Sequence, residues 1–383
     1  MTSAPTTERP GLAGTGFDPR SPRNWLERVR DGGLDDGEHE ATLRFVYRAW
    51  LVALLLKALG SGWDVAWHFR WLRDDFAPPH DVNLVGDGIA IALVIFHWYT
   101  RFGVDKWSLR VMTGGTALFV LSAPLDVINH RINGLDITSW SPTHFGLYVG
   151  TAIMIAGVIL GWTRHGRARP DYQPVLFGLW FFFVENVWFP AQHQEYGEVT
   201  VRAWDAGRQV PEQELLEFAA QQIGRGVDRE ALVQFALPVP AWVYPVWTVA
   251  AVGLALLVAR RVSGRPWTAT ALAGAYVAWR CVLYPLFAAT GFPRSAVPFF
   301  VLGIGLAIDL VCRARLPWYA EAVLGAIVTT ALGYAALYGQ ATALVAPPVS
   351  YRSAGTAAVL LALGWAAVRL LPTLRARQSP APA

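Results

Sequence analysis

Two stretches of the chain each bring one aspartate and two histidines close together in sequence. The stretches contain Asp64, His68 and His80, and then Asp126, His130 and His144. An aspartate and a histidine four positions apart lie on the same face of a helix. Two imidazoles and a carboxylate are typical ligands of transition metals, and three protein ligands leave a coordination position open for water, oxygen or substrate. The repeated pattern therefore predicts a metal centre.

The same residues also have a purely structural interpretation. Polar side chains gather at the ends of membrane helices and pair with arginines there. A single Asp or His fits this structural interpretation as well as it fits a metal ligand. The recurrence favours the metal centre, because Asp-x-x-x-His is followed both times by Pro-x-His in the same relation to the apolar runs. The ligand set suits copper, zinc or ferrous iron, and by itself it does not choose among them.

The chain that must position these residues is rich in apolar residues. Of its 383 residues, 54% are hydrophobic and only 16% are charged, and the mean hydropathy is +0.33. A soluble protein carries about a quarter charged residues. Apolar runs long enough to cross a bilayer recur after residue 44. The sequence thus predicts an all-α, multi-pass transmembrane bundle in the lipid bilayer of the cell membrane, and the net charge of +4 gives no reason to expect a nucleic-acid partner.

We count about ten candidate spans, and their flanking charges predict an orientation. The spans are 44–63, 81–99, 111–128, 145–163, 174–192, 236–259, 267–289, 295–312, 318–342 and 354–371. Lys and Arg concentrate after the second, fourth, sixth and eighth spans. The positive-inside rule then places both termini in the cytoplasm. Both Asp–His–His sets would lie on the opposite face, at the outer ends of spans one to four.

The composition also divides the chain into segments. We expect a disordered cytoplasmic segment, a five-span half with the metal site, an extracytoplasmic loop, a second five-span half and a disordered tail. Their bounds are 1–42, 43–193, 194–235, 236–372 and 373–383. An amphipathic stretch near 212–222 in the long connection is expected to cap the face that carries the two sets.

Several further residues could support a metal centre. Glu185 is an acid inside the aromatic fifth span, and it could be an extra ligand, a catalytic proton donor or simply a hydrogen-bonded structural group. The candidates for orienting the ligands are Asp74, Asp75, Asp87, Asp136 and His193. His97 lies near the other end of its span and is expected to be structural. Arg280 and Asp309 are expected to form a buried pair between spans seven and eight.

Residues 44–165 resemble the C subunit of the copper membrane monooxygenases, the particulate methane and ammonia monooxygenases. That subunit carries Asp-x-x-x-His followed by Arg-Asp-x-x-Phe-x-Pro-x-His, and then a second cluster with thirteen residues between its histidines. The matching residues are Asp64, His68, Arg73, Asp74, Phe76, Pro78 and His80, and then Asp126, His130 and His144. The resemblance implies copper and dioxygen chemistry on a small apolar or gaseous substrate. It also implies partner membrane subunits and a donor of copper or electrons.

The chain departs from that family in three ways. The first cluster is one residue shorter between its histidines, and the second begins with Asp126 where the family has asparagine. About five further spans follow the region of resemblance. Two other functions stay open: a membrane protein that transports or handles metal ions, and a structural membrane subunit that binds none. Only three methionines are present, which argues against a methionine relay for a soft metal ion.

Overall fold

The computed structural model describes residues 22–72, 77–133 and 138–370, with only the backbone given for 130–133. These residues form helices and connections and contain no strand, so the predicted all-α class is confirmed. The helices of the first half are α1 (Pro22–Arg30), α2 (Asp36–His68), α3 (Pro78–Thr100), α4 (Lys106–Asn133), α5 (Pro142–His165) and α6 (Tyr172–Asp205). Two short helices follow, α7 (Gln213–Gln222) and α8 (Arg229–Ala236). The second half contains α9 (Val243–Val246), a π-helical turn (Trp247–Val252), α10 (Gly253–Ser263), α11 (Thr268–Ala289), α12 (Val301–Arg313), α13 (Trp318–Ala343) and α14 (Ala354–Leu370).

The chain is a multi-pass helical membrane protein. Within the described residues, eight helices are long and apolar enough to cross a bilayer: α3 to α6, the continuous α9–α10 segment, α11, α13 and α14. The predicted count of ten is not confirmed. The predicted span 44–63 lies in α2, which carries Arg48 and Lys57 inside its apolar run. The predicted span 295–312 contains α12, whose 13 residues extend for only about 20 Å.

The predicted segments also differ from the structure at two places. Within the predicted disordered segment 1–42, residues 22–30 form α1 and residues from Asp36 onward belong to α2; residues 1–21 lie outside the described part. The Asp35 side chain caps α2 by accepting a hydrogen bond from the Glu38 amide, and the Glu38 side chain bonds back to the Asp35 amide. The predicted connection 194–235 is mostly helical, because α6 continues to Asp205 and α7 and α8 follow. The predicted tail 373–383 lies outside the described residues.

Two helical hairpins, α2–α3 and α4–α5, are packed with their backbones in close contact. A Cβ atom at Gly60 would lie 2.6 Å from the backbone nitrogen of Asn83, so α2 and α3 can approach this closely only because Gly60 has no side chain. In the second hairpin a Cβ atom at Gly150 would lie 2.6 Å from the backbone nitrogen of Phe119. Small residues that let two helices touch are typical of membrane bundles. The two hairpins are therefore closely packed pairs, and each carries one of the two Asp–His–His sets.

The amphipathic stretch near 212–222 forms helix α7. Its apolar residues Leu215 and Leu216 are buried in a cluster that also contains Phe69, the residue directly after α2, and Tyr196 of α6. Phe235 of α8 joins the same cluster. The two short helices thus cover the end of α2 at which the first Asp–His–His set lies.

Buried ion pairs connect the helices of the second half, with partners that differ from the predicted ones. Arg280 does not pair with Asp309. The guanidinium Nη2 of Arg280 donates to Oε2 of Glu195 in α6 at 2.6 Å, and both residues are fully buried. Asp309 instead pairs with Arg260 at 2.9 Å. The prediction was wrong because Glu195 lies 85 residues before Arg280 in the chain, and only the packing of α6 against α11 brings the two together.

Candidate metal centre

The first Asp–His–His set is built by the end of α2 and the start of α3. Asp64 and His68 lie one turn apart on the last two turns of α2, which ends at His68. Pro78 and Pro79 begin α3, where a missing N–H costs nothing, and His80 follows within the first turn. The close packing of the α2–α3 hairpin then brings His80 back to the level of Asp64.

The three side chains of this set converge. Nε2 of His68 lies 3.1 Å and Nε2 of His80 lies 2.7 Å from Oδ1 of Asp64. The two imidazole rings are 5.6 Å apart between centroids. One donor atom from each residue lies within 4.8 Å of the others, and all three residues are half-buried. Such a set can hold a metal ion through three ligands while one side stays open.

The second hairpin brings together Asp126 of α4 and His144 of α5, with Nε2 of His144 at 3.3 Å from Oδ2 of Asp126. The Thr143 hydroxyl donates to Oδ1 of the same carboxylate at 2.7 Å. Nδ1 of His144 lies 2.7 Å from the carbonyl oxygen of Thr138. A carbonyl only accepts, so Nδ1 carries a proton and Nε2 is the nitrogen directed toward Asp126. This orientation through the second ring nitrogen is common among metal-binding histidines.

The described side chains of the two sets line one cavity of about 710 Å³. The residues on its wall that sequence reasoning had singled out are Asp64, His68, His80, Asp87, Asp126, His144, Glu185 and His193. The cavity lies between the α2–α3 and α4–α5 hairpins, with α6 contributing Glu185, Asn186 and His193. The repeat in the sequence therefore brings Asp126 and His144 of the second set to the same space as the first set.

The structure gives the proposed supporting residues specific partners. Oε1 of Glu185 accepts a hydrogen bond from Gln192 Nε2 at 3.1 Å. The His193 ring is within hydrogen-bonding distance of the Phe235 carbonyl, with Nε2 at 3.1 Å. Neither contact involves a residue of the two sets, although both residues lie on the cavity wall. The side chain of His130, and Asp74, Asp75 and Asp136 entirely, fall outside the described residues.

Asp87 has a partner that sequence reasoning missed. It forms a buried ion pair with Lys57 of α2, and the Lys57 ammonium also lies 4.5 Å from the ring centre of Phe119 in α4. All three residues line the cavity. A lysine inside the first apolar run was the signal available in the sequence, because an intramembrane charge requires a partner.

His97 does not belong to this site. Its Nδ1 lies 2.9 Å from the carbonyl oxygen of Phe102, and its Nε2 accepts from the indole N–H of Trp50 at 3.0 Å. Both ring nitrogens are therefore used in fixing the end of α3 against α2. The expected structural role of His97 agrees with these contacts.

Comparison of the chain with protein-family models, with curated proteins and with solved structures finds no match.

Proposed function

We propose that this protein is a membrane metalloenzyme, similar to the C subunit of the copper membrane monooxygenases, that binds copper and oxidises a small apolar substrate with dioxygen. The observation that supports the proposal best is the shared cavity. Two separate hairpins present carboxylate and imidazole groups to one cavity within a membrane bundle.

The donor set fits a copper ion. Asp64, His68 and His80 would hold it through one carboxylate and two imidazoles, a combination that suits copper and also zinc or ferrous iron. Asp126, His130 and His144 would form the corresponding set on the second hairpin. Bound copper would supply one-electron redox chemistry and a coordination position for dioxygen. Asp126 in place of asparagine adds a negative charge to the second set.

The residues around the sets have separate roles. The Thr138 carbonyl and the Thr143 hydroxyl hold His144 and Asp126 in their orientations, which reduces the cost of ordering them when a ligand binds. Glu185 lies on the wall of the cavity, where its carboxyl group can exchange a proton with a molecule inside. Apolar side chains of α3 and α4 line the remaining wall and limit the entry of water.

Elemental analysis of the detergent-purified protein tests metal binding. We expect copper in the wild type and its loss in the double variant His68→Ala/His144→Ala. His165→Ala is the matched control, because His165 is an exposed histidine at the far end of α5. Equal and negligible metal in all three proteins, after loading with copper, zinc and iron in turn, would refute the site.

Oxygen uptake with an added reductant and a small hydrocarbon tests the oxidation. Copper together with substrate-dependent uptake supports the whole proposal. Zinc in place of copper would keep the metal site and remove the redox chemistry. Bound copper without oxygen uptake in the presence of any added substrate would favour a protein that handles or transports metal ions.

A further inference from the structure

The cavity that joins the two sets has one wall formed by exposed apolar residues. Leu84 of α3 is 68% exposed, and Val120 and Val127 of α4 are 47% and 43% exposed, yet all three line the cavity. Gly88 of α3 is also on the wall, and a Cβ atom there would meet nothing within 4 Å. Residues that line a cavity and are also exposed mark its opening. The cavity therefore opens between α3 and α4.

This opening faces the hydrocarbon region of the bilayer. α3 and α4 are both among the helices apolar enough to cross a membrane. Val120 lies six residues before Asp126 in α4, so it is about 9 Å from Asp126 toward the middle of the span. Side chains exposed at that depth contact lipid chains, because water is excluded there.

The cavity also carries polar groups. The Lys57–Asp87 ion pair lies about 10 Å along α2 and α3 from Asp64 and His80, and Glu185 and Asn186 contribute from α6. Ionisable groups at this depth are costly unless they are paired or functional. A molecule in the cavity thus meets apolar side chains at the opening and also hydrogen-bonding groups inside.

We propose that the cleft between α3 and α4 is a lateral portal through which a membrane-dissolved molecule enters the cavity. The molecule that fits is small and mainly apolar, and it carries at most one polar group to meet the polar side chains inside the cavity. A volume of about 710 Å³ is in the range of ligand-binding cavities. That this molecule is the one oxidised rests on the proposed function, whereas the portal rests on the cavity alone.

Labelling of Glu185 with dicyclohexylcarbodiimide in proteoliposomes tests the portal. This reagent dissolves in the bilayer and forms a stable N-acylurea with carboxylic acids in apolar surroundings, so peptide mass spectrometry locates the modified residue. We expect labelling of Glu185 in the wild type and none at this position in Glu185→Gln. Gly88→Trp places an indole in the opening and should slow labelling by about tenfold, which corresponds to a barrier of ~1.4 kcal/mol.

Gly114→Trp is the matched control. Gly114 is an exposed glycine of α4 with nothing within 4 Å of a built Cβ atom, and it does not line the cavity. Labelling of Glu185 at the wild-type rate in this control, and a slower rate in Gly88→Trp, supports the portal. Thermal unfolding of both variants verifies that each is folded. If folded Gly88→Trp is labelled as fast as the control, or if a water-soluble carbodiimide labels Glu185 equally fast, the lateral route is wrong.

The labelling needs neither metal nor turnover, so the two proposals can fail separately. A protein without metal whose labelling still depends on Gly88 would refute the oxidation and keep the portal. A protein that binds copper and consumes oxygen, but whose labelling is unaffected by Gly88→Trp, would keep the oxidation and refute the portal.

Discussion

Gly60 links helix packing to the geometry of the first set, and Gly60→Ala tests that link. Gly60 lies one turn before Asp64 in α2, and its neighbour Asn83 lies one turn after His80 in α3. A Cβ atom at position 60 would be 2.6 Å from the Asn83 nitrogen, while ordinary contact begins at 3.4 Å. The two backbones must therefore separate by about 0.8 Å next to the site.

A separation of this size matters for a metal site. Oδ1 of Asp64 and Nε2 of His80 are now 2.7 Å apart, and metal–ligand distances tolerate changes of only about 0.2 Å. We expect Gly60→Ala to weaken metal binding by at least about tenfold, in the range found when the support of a ligand is lost. Overpacking should also destabilise the hairpin by about 1–3 kcal/mol, partly offset by the ~1 kcal/mol that alanine gains over glycine in a helix.

Competition with a metal chelator measures the affinity, and thermal unfolding in detergent measures the stability. Gly88→Ala is the control, since Gly88 is in α3 with nothing within 4 Å of a built Cβ atom, and it should keep the affinity and melt no lower than the wild type. If Gly60→Ala binds metal and melts like Gly88→Ala, the close packing of α2 and α3 does not set the geometry of the site.

Two further predictions concern charges away from the cavity opening. Arg280→Met should lower the free energy of unfolding by about 3–5 kcal/mol, because it leaves the fully buried Glu195 carboxylate without its cation. Adding Glu195→Gln to this variant should recover most of the lost stability. A melting temperature of Arg280→Met equal to that of the wild type would refute the pairing. Asp105 lies outside the spans, and although burial raises its pKa, hydrogen bonds from Ser108 and Arg164 outweigh that effect and lower the pKa to about 2. The ionised Asp105 carboxylate contributes at most about 1 kcal/mol to the free energy of unfolding, because the group is partly exposed. This contribution is therefore complete above pH 4 and is lost as the pH falls toward 2. The difference in melting temperature between the wild type and Asp105→Asn should shrink over that range, and a constant difference would contradict this assignment.

Much of the fold follows directly from the sequence. Long apolar runs in a chain with few charges can bury their backbone polar groups only as helices, which predicts the all-α membrane bundle. The amphipathic stretch near 212–222 has the apolar periodicity of a helix, and it forms α7. The number of spans does not follow in the same way, because an apolar run such as 295–312 contains an irregular part before α12 begins at Val301.

The sequence also brings together the candidate ligands that are local in the chain. Asp64 and His68 share a helix face whatever the tertiary structure is, and the proline-led start of α3 returns His80 after a short connection. A repeat of that local pattern predicts a second set. It does not predict that both sets face the same cavity, since that depends on how one hairpin packs against the other.

Only the tertiary structure determines partners that are distant in the chain. Lys57 could have paired with any acid in the bundle, and it is the packing of α2 on α3 that places Asp87 beside it. Arg280 meets Glu195 instead of Asp309 for the same reason. Helix periodicity fixes which face a residue occupies, whereas the choice among neighbouring helices is a property of the whole bundle. The opening between α3 and α4 is likewise a property of the assembled bundle, because it exists only where two hairpins leave a gap.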